Sequence, residues 1–140
     1  TEEFAAGAMG MKRLRNYYGI YKIYEKGDLR YLQHGTTQHG RQYIAGPKKS
    51  IPLGYYHYST PPAQVLLSDN IKLKRIGMIG LGTGALATYV CDGQMFDVYE
   101  LDPDNLPIAQ ENFTYLSIAE NNGAKLKFVF GDGRVALQPH

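Results

Sequence analysis

The chain has 140 residues, 44% of them hydrophobic, and a formal charge of +2 at neutral pH. That is enough chain for one domain with a sizeable core, and too little charge to argue for a nucleic-acid partner. The single cysteine, Cys91, excludes an internal disulfide framework; with no apolar run long enough to span a bilayer and no secretory pattern, the expected compartment is cytoplasmic.

Residues 1–10 are rich in Ala and Gly and read as a linker, a tag remnant or the tail of a preceding segment. Lys12, Arg13 and Arg15 read as a solvated basic turn. Residues 17–24, rich in Tyr and Ile, predict a strand. Lys26-Gly27-Asp28 predicts a turn and residues 29–34 a second strand, which together make a β-hairpin. Residues 35–46 are polar and loop-like, with 42–45 a candidate short strand. Tyr55, Tyr56 and Tyr58 are expected to pack between two subdomains, the alternative being stacking on a base or substrate. Thr60 with Pro61 and Pro62 predicts a helix start, with its body over 63–67.

From about Ile71 the pattern alternates strand and helix in the α/β manner. Residues 75–79 predict a short strand buried on both faces of a parallel sheet. Gly80, Gly82 and Gly84 follow, in a turn that frees the backbone to approach a ligand. A helix over 83–90 is expected to point its N-terminus at that turn. Cys91 at its end reads as structural, and Gly93 as its closing glycine. Residues 96–99 predict the second strand. Glu100 comes 20 residues after Gly80, about the spacing at which a carboxylate meets ribose hydroxyls in a nucleotide-binding βαβ unit. Asp102 reads as a cap for the next helix, the alternative being a ligand contact; that helix begins near 104 or 105 with Pro107 in its first turn. Leu106, Ala109, Gln110, Phe113 and Leu116 continue that helix. Residues 126–130 predict the third strand and Gly131-Asp132-Gly133 its turn.

These residues resemble the spermidine synthase family, and within it the spermidine-synthase-like proteins often fused to membrane transporters. The resemblance covers about residues 16–137. Residues 79–85 are similar to the family's I-G-G-G-D-G-G turn, Tyr99-Glu100-Leu101-Asp102 to its V-E-I-D strand end, Gly131-Asp132-Gly133-Arg134 to its G-D-A-R segment, and Gly35-Thr36-Thr37-Gln38 to its G-x-x-Q. The fold it implies is α/β: an N-terminal β-hairpin subdomain over 16–60, after a linker-like 1–15, then the first half of a methyltransferase-like Rossmann domain over 61–140. The ligand it implies is S-adenosylmethionine or decarboxylated S-adenosylmethionine. Glu100 would bond the ribose, Asp132 and Gly133 would lie beside the adenine, Gly80, Gly82 and Gly84 would lie under the aminopropyl or amino-acid part, and Gln38 would reach over from the hairpin. It also implies a small-molecule acceptor, a homodimer, and a possible fusion to a membrane segment outside this chain.

The chain departs from the family where polyamine synthases carry acidic residues after the glutamine: here it reads His39-Gly40-Arg41-Gln42-Tyr43. Where the family has Tyr-x-Glu it has Tyr56-His57-Tyr58, and Thr83 replaces the turn aspartate. Cationic amines would find poor partners, and the family's catalytic aspartate would lie beyond His140. The expected chain is therefore the N-terminal part of a larger one, its general base unassigned. His34, His39 and His57 fit no common metal spacing. Gly80-x-Gly82-x-x-Ala85 also satisfies the dinucleotide fingerprint, so an NAD-binding oxidoreductase fragment stays open, as does a non-catalytic ligand-sensing domain.

Overall fold

Alternation of inward apolar and outward polar side chains builds the first sheet. The computed structural model describes residues 5–6, 10–68 and 73–136. Strands β1 (Ala5–Ala6), β2 (Lys12–Asn16), β3 (Gly19–Lys26), β4 (Leu29–His34) and β5 (Thr37–Tyr43) form an antiparallel sheet in sequence order. The two-residue turn Gly27-Asp28 sets Lys26 opposite Leu29, so Tyr21 falls opposite His34. Leu14, Tyr21, Ile23 and Leu32 point inward and are buried.

Two expectations change here. The basic stretch at 12–16 is strand β2, because every second residue can face solvent: Arg13 and Arg15 are exposed on the face opposite the buried Leu14, and Lys12, exposed at the strand's start, donates to Asn112 Oδ1. The loop expected over 35–46 is mostly strand β5, since a tight turn at Gly35-Thr36 returns the chain onto β4 with a register shift at Leu32/Gln33.

A short helix α1 (Pro61–Leu67) starts at the two prolines, as the sequence predicts. The second sheet is parallel, in the order β6 (Arg75–Ile79), β7 (Met95–Glu100), β8 (Lys125–Phe130). Between β6 and β7 the chain makes a 3₁₀ turn, Ala85–Tyr89, in place of the α-helix expected over 83–90. Between β7 and β8 run α2 (Asn105–Asn112) and α3 (Tyr115–Asn121), where one continuous helix was expected. The break has a visible cause. The buried Gln42 amide of β5 accepts from Thr114 N at 3.0 Å and donates to Thr114 Oγ1 at 2.5 Å, so that residue turns out of the helix. After β8, helix α4 (Gly133–Ala136) begins at once. The molecule is thus mixed α/β, an antiparallel sheet joined to a three-stranded parallel one.

Ile76, Met78, Phe96, Val98, Leu126 and Phe128 of the parallel sheet pack with Leu81, Ala87, Val90, Leu116 and Ala119. On the opposite face Arg75, Gly77 and Ile79 are exposed, Ile79 to 70%, so β6 is covered on one face only. A second core joins the two sheets. Leu14, Tyr21, Ile23 and Leu32 meet Ala85, Ile108, Phe113 and Tyr115. Burying each of these large side chains stabilises the fold by about 1.5–3 kcal/mol. Polar contacts cross the same seam: Asn16 Nδ2 donates to Asp102 and Asp104, Arg30 to the Asn112 carbonyl, and the Tyr115 hydroxyl to the Arg41 carbonyl. The antiparallel sheet is therefore held against the carboxyl ends of the parallel strands.

Candidate functional site

Ligands of open parallel sheets gather at the carboxyl ends of the strands. Here those ends carry Gly80, Glu100 and Gly131, held in register by Gly80 N donating to Tyr99 O and Gly131 N to Glu100 O. Glu100 ends the central strand and is only 9% exposed. Its Oε1 accepts from Leu81 N at 3.1 Å and Asn105 Nδ2 at 2.9 Å, and its Oε2 from Asp102 N at 3.0 Å. The carboxylate ties the glycine turn to the start of α2. Of its roughly four acceptor positions, one remains on Oε2.

Asp102 is buried and accepts from Asp104 N at 2.9 Å and Asn16 Nδ2 at 2.7 Å. Asp102 leads the chain into α2, and Asp104 is the residue at the helix cap. Burial first, then the neighbouring Asp102 carboxylate, pushes the Tyr21 phenol well above its ordinary range, so it stays neutral.

Two neighbouring cavities open at this seam. The smaller, about 230 Å³, is lined by Tyr21, His34, His39, Glu100, Asp102 and Asn105 among others. His34 stacks on Tyr21 at 4.2 Å between ring centres, and its Nε2 lies 2.8 Å from Tyr18 O. The larger, about 720 Å³, lies along β5 and includes Gln38, His39, Arg41, Tyr55, Tyr56 and Thr60 in its wall. His39 lines both. Burial, and then the neighbouring His34, lower the His39 pKa from its usual value, with Glu100 opposing. Its imidazole is accordingly neutral at pH 7 and able to accept a proton.

The glycine turn serves two purposes. Gly80 has φ +85° and nothing within 4 Å of a built Cβ, so it leaves open space. Gly84 also has a positive φ, but a Cβ there would lie 2.9 Å from Leu116. A Cβ on Gly82 would lie 3.2 Å from the His39 carbonyl, and one on Gly40 2.8 Å from Thr83 Cγ2. Gly82 and Gly84 therefore admit neighbouring protein. The segment after them is a five-residue 3₁₀ turn, so no long helix dipole converges on the turn.

Of the sequence-predicted residues, the fold brings Glu100 and Gly80 to adjacent strand ends and puts Gln38, exposed, in the larger cavity. Asp132 precedes α4, accepting from Arg134 N at 2.9 Å and pairing with its guanidinium at 2.8 Å; that pair holds its carboxyl below the usual range. Asp132 lines neither cavity, and Gly133 is the first residue of α4. Tyr55 and Tyr58 are exposed to 85% and 56%, and of the three only Tyr56 packs against the joined core. Cys91 is exposed.

Asn105, Tyr21 and Arg41 carry parts of the site that the motifs did not mark. The hairpin register carried a signal for Tyr21, since a two-residue turn obliges it to face His34. Among the described residues no group of three His, Cys, Asp or Glu side chains is placed to hold a metal, and no helix is long and apolar enough to cross a membrane. No protein-family model and no curated protein matches the chain.

Proposed function

We propose that the chain is a spermidine-synthase-like transferase domain, its parallel sheet the first half of a methyltransferase-like Rossmann fold, binding S-adenosylmethionine or its decarboxylated form. One observation carries this reading: a buried carboxylate, Glu100, ends the central parallel strand with an acceptor position to spare, beside the open Gly80. That is where a ribose hydroxyl would be held. Asp132, two residues past the next strand, keeps acceptor capacity beyond its Arg134 bonds and is reachable from solvent. The smaller cleft alone is below the roughly 300–1,000 Å³ usual for ligand sites, so an adenosyl ligand would extend beyond its walls. Such a ligand supplies an electrophilic carbon on a sulfonium. The chain's own part is to orient it through Glu100 and, at His39 Nδ1 or Nε2, to take a proton from an acceptor in the larger cavity.

The dinucleotide reading is weaker on this geometry. A pyrophosphate is ordinarily seated on a helix N-terminus at the glycine turn, whereas here Gly84 packs on Leu116 and a 3₁₀ turn follows. Calorimetry and thermal shift on the intact protein with S-adenosylmethionine, decarboxylated S-adenosylmethionine, methylthioadenosine and NAD test the choice. An adenosyl-sulfur ligand is expected to stabilise by about 2.7 kcal/mol at a hundredfold excess over its Kd. Glu100→Gln should abolish this and Asp132→Asn weaken it. Stabilisation by NAD alone would overturn the proposal; no response to any of the four would favour a domain that binds none of them.

A further inference from the structure

The larger cavity has a chemistry of its own. Among the described residues its polar wall includes Gln38, His39, Arg41 and Thr60, its aromatic wall is Tyr55 and Tyr56, and no Asp or Glu lines it. At about 720 Å³ it lies within the range of small-molecule sites. Among the described residues Arg41 is its one side chain with a permanent charge. Among the described residues no carboxylate lies within 4 Å of that guanidinium. The Arg41 Nε–H is buried and has no acceptor. A buried donor in this condition costs about 1–3 kcal/mol, which an acceptor brought by a ligand would recover. The backbone around it is fixed: the Arg41 carbonyl accepts from Tyr115, and the adjoining Gly40 sits where a Cβ would collide with Thr83.

We infer that this cavity takes a small molecule bearing a carboxylate and a flat apolar body, the carboxylate meeting Arg41 and the body lying against the tyrosine wall of Tyr55 and Tyr56. A planar guanidinium pairs with a carboxylate through two parallel bonds, and the phenol rings supply a face for a flat ligand. A polyamine is disfavoured, since it would bring positive charge to a cavity whose fixed charge is already positive. The inference rests on the adenosyl reading only in naming this molecule the acceptor. A carboxylate can fill this cavity whether or not an adenosyl ligand fills the cleft at Glu100, and the two bindings are measured separately.

Titration calorimetry of the intact protein with benzoate, 4-hydroxycinnamate, benzamide, inorganic phosphate and spermidine provides the test. Saturable binding is expected for at least one aromatic carboxylate, with benzamide, phosphate and spermidine at least tenfold weaker. Arg41→Gln should weaken the carboxylate by about tenfold or more, and Arg41→Lys by less, because it keeps the charge and loses the paired geometry. The benzoate and benzamide comparison needs no variant, so a misfolded Arg41→Gln protein does not obscure the answer. Equal binding of benzamide, tighter binding of phosphate or spermidine, an unchanged affinity in folded Arg41→Gln, or no carboxylate binding at millimolar concentration would each overturn the inference. Carboxylate binding without any adenosyl binding would leave it standing and remove only the word acceptor.

Discussion

Replacing Glu100 with Gln keeps the side chain's shape and removes half of its accepting capacity. In the native protein Oε1 serves Leu81 N and Asn105 Nδ2 while Oε2 serves Asp102 N, all between 2.9 and 3.1 Å. The amide oxygen can take one side only. Turned toward Leu81 and Asn105, it leaves its own NH₂ facing the Asp102 N–H, donor to donor, and a buried donor without a partner costs about 1–3 kcal/mol. The two bonds that survive lose their charge assistance, which is worth about 1 kcal/mol each. Glu100→Gln should therefore destabilise the fold by roughly 3–5 kcal/mol, a large share of the 5–15 kcal/mol usual for a domain. Urea denaturation should show a lower midpoint with an unchanged slope. A loss below about 1 kcal/mol would refute the reasoning, because it would mean that the carboxylate is not bearing these three donors in solution.

Two further outcomes separate packing from binding and follow the charge state of the site. Gly84→Ala should cost roughly 2–4 kcal/mol, combining left-handed strain with a Cβ placed 2.9 Å from Leu116, whereas Gly80→Ala should cost only the strain, about 1–2 kcal/mol. Equal losses in urea titrations would mean that the contact with Leu116 is not a constraint. His39 has a pKa lowered in the folded protein, so below about its ordinary value of 6.5 the unfolded chain takes the proton more readily. The stability that follows is complete above that pH and declines as pH falls through it toward the folded value. Because the ring is partly exposed the effect is small. His39→Gln should flatten the dependence of Tm on pH between about 7 and 5; an unaltered slope would count against it.

Much of this molecule is written locally. Pro61 and Pro62 mark the start of α1, Gly27-Asp28 the β3–β4 turn, and Pro107 the first turn of α2, because these residues restrict or free their own backbone dihedrals. The strand ending in Glu100 was legible from its apolar run. The failures came where distant residues decide. A helical pattern through Phe113 is broken because Gln42, 72 residues away, captures Thr114. The glycine turn reads as a ligand cradle, yet Leu116 and the His39 carbonyl occupy the space beside Gly84 and Gly82. Arg41 looked merely like a missing carboxylate until β5 formed and turned it into a cavity wall.

By itself, then, the sequence determined the β3–β4 hairpin, the start of α1, the strands β6 to β8, the glycine turn and the acid timed to follow it, since each depends on neighbours within a few residues. Only the tertiary structure decided which glycines hold space open and which admit a neighbour, that Glu100 binds three donors of its own chain, and that His39 joins two cavities. Those facts depend on how the antiparallel sheet lies against the ends of the parallel one. That placement is made by side chains such as Asn16, Gln42 and Tyr115, whose partners lie 64 to 88 residues away in the chain.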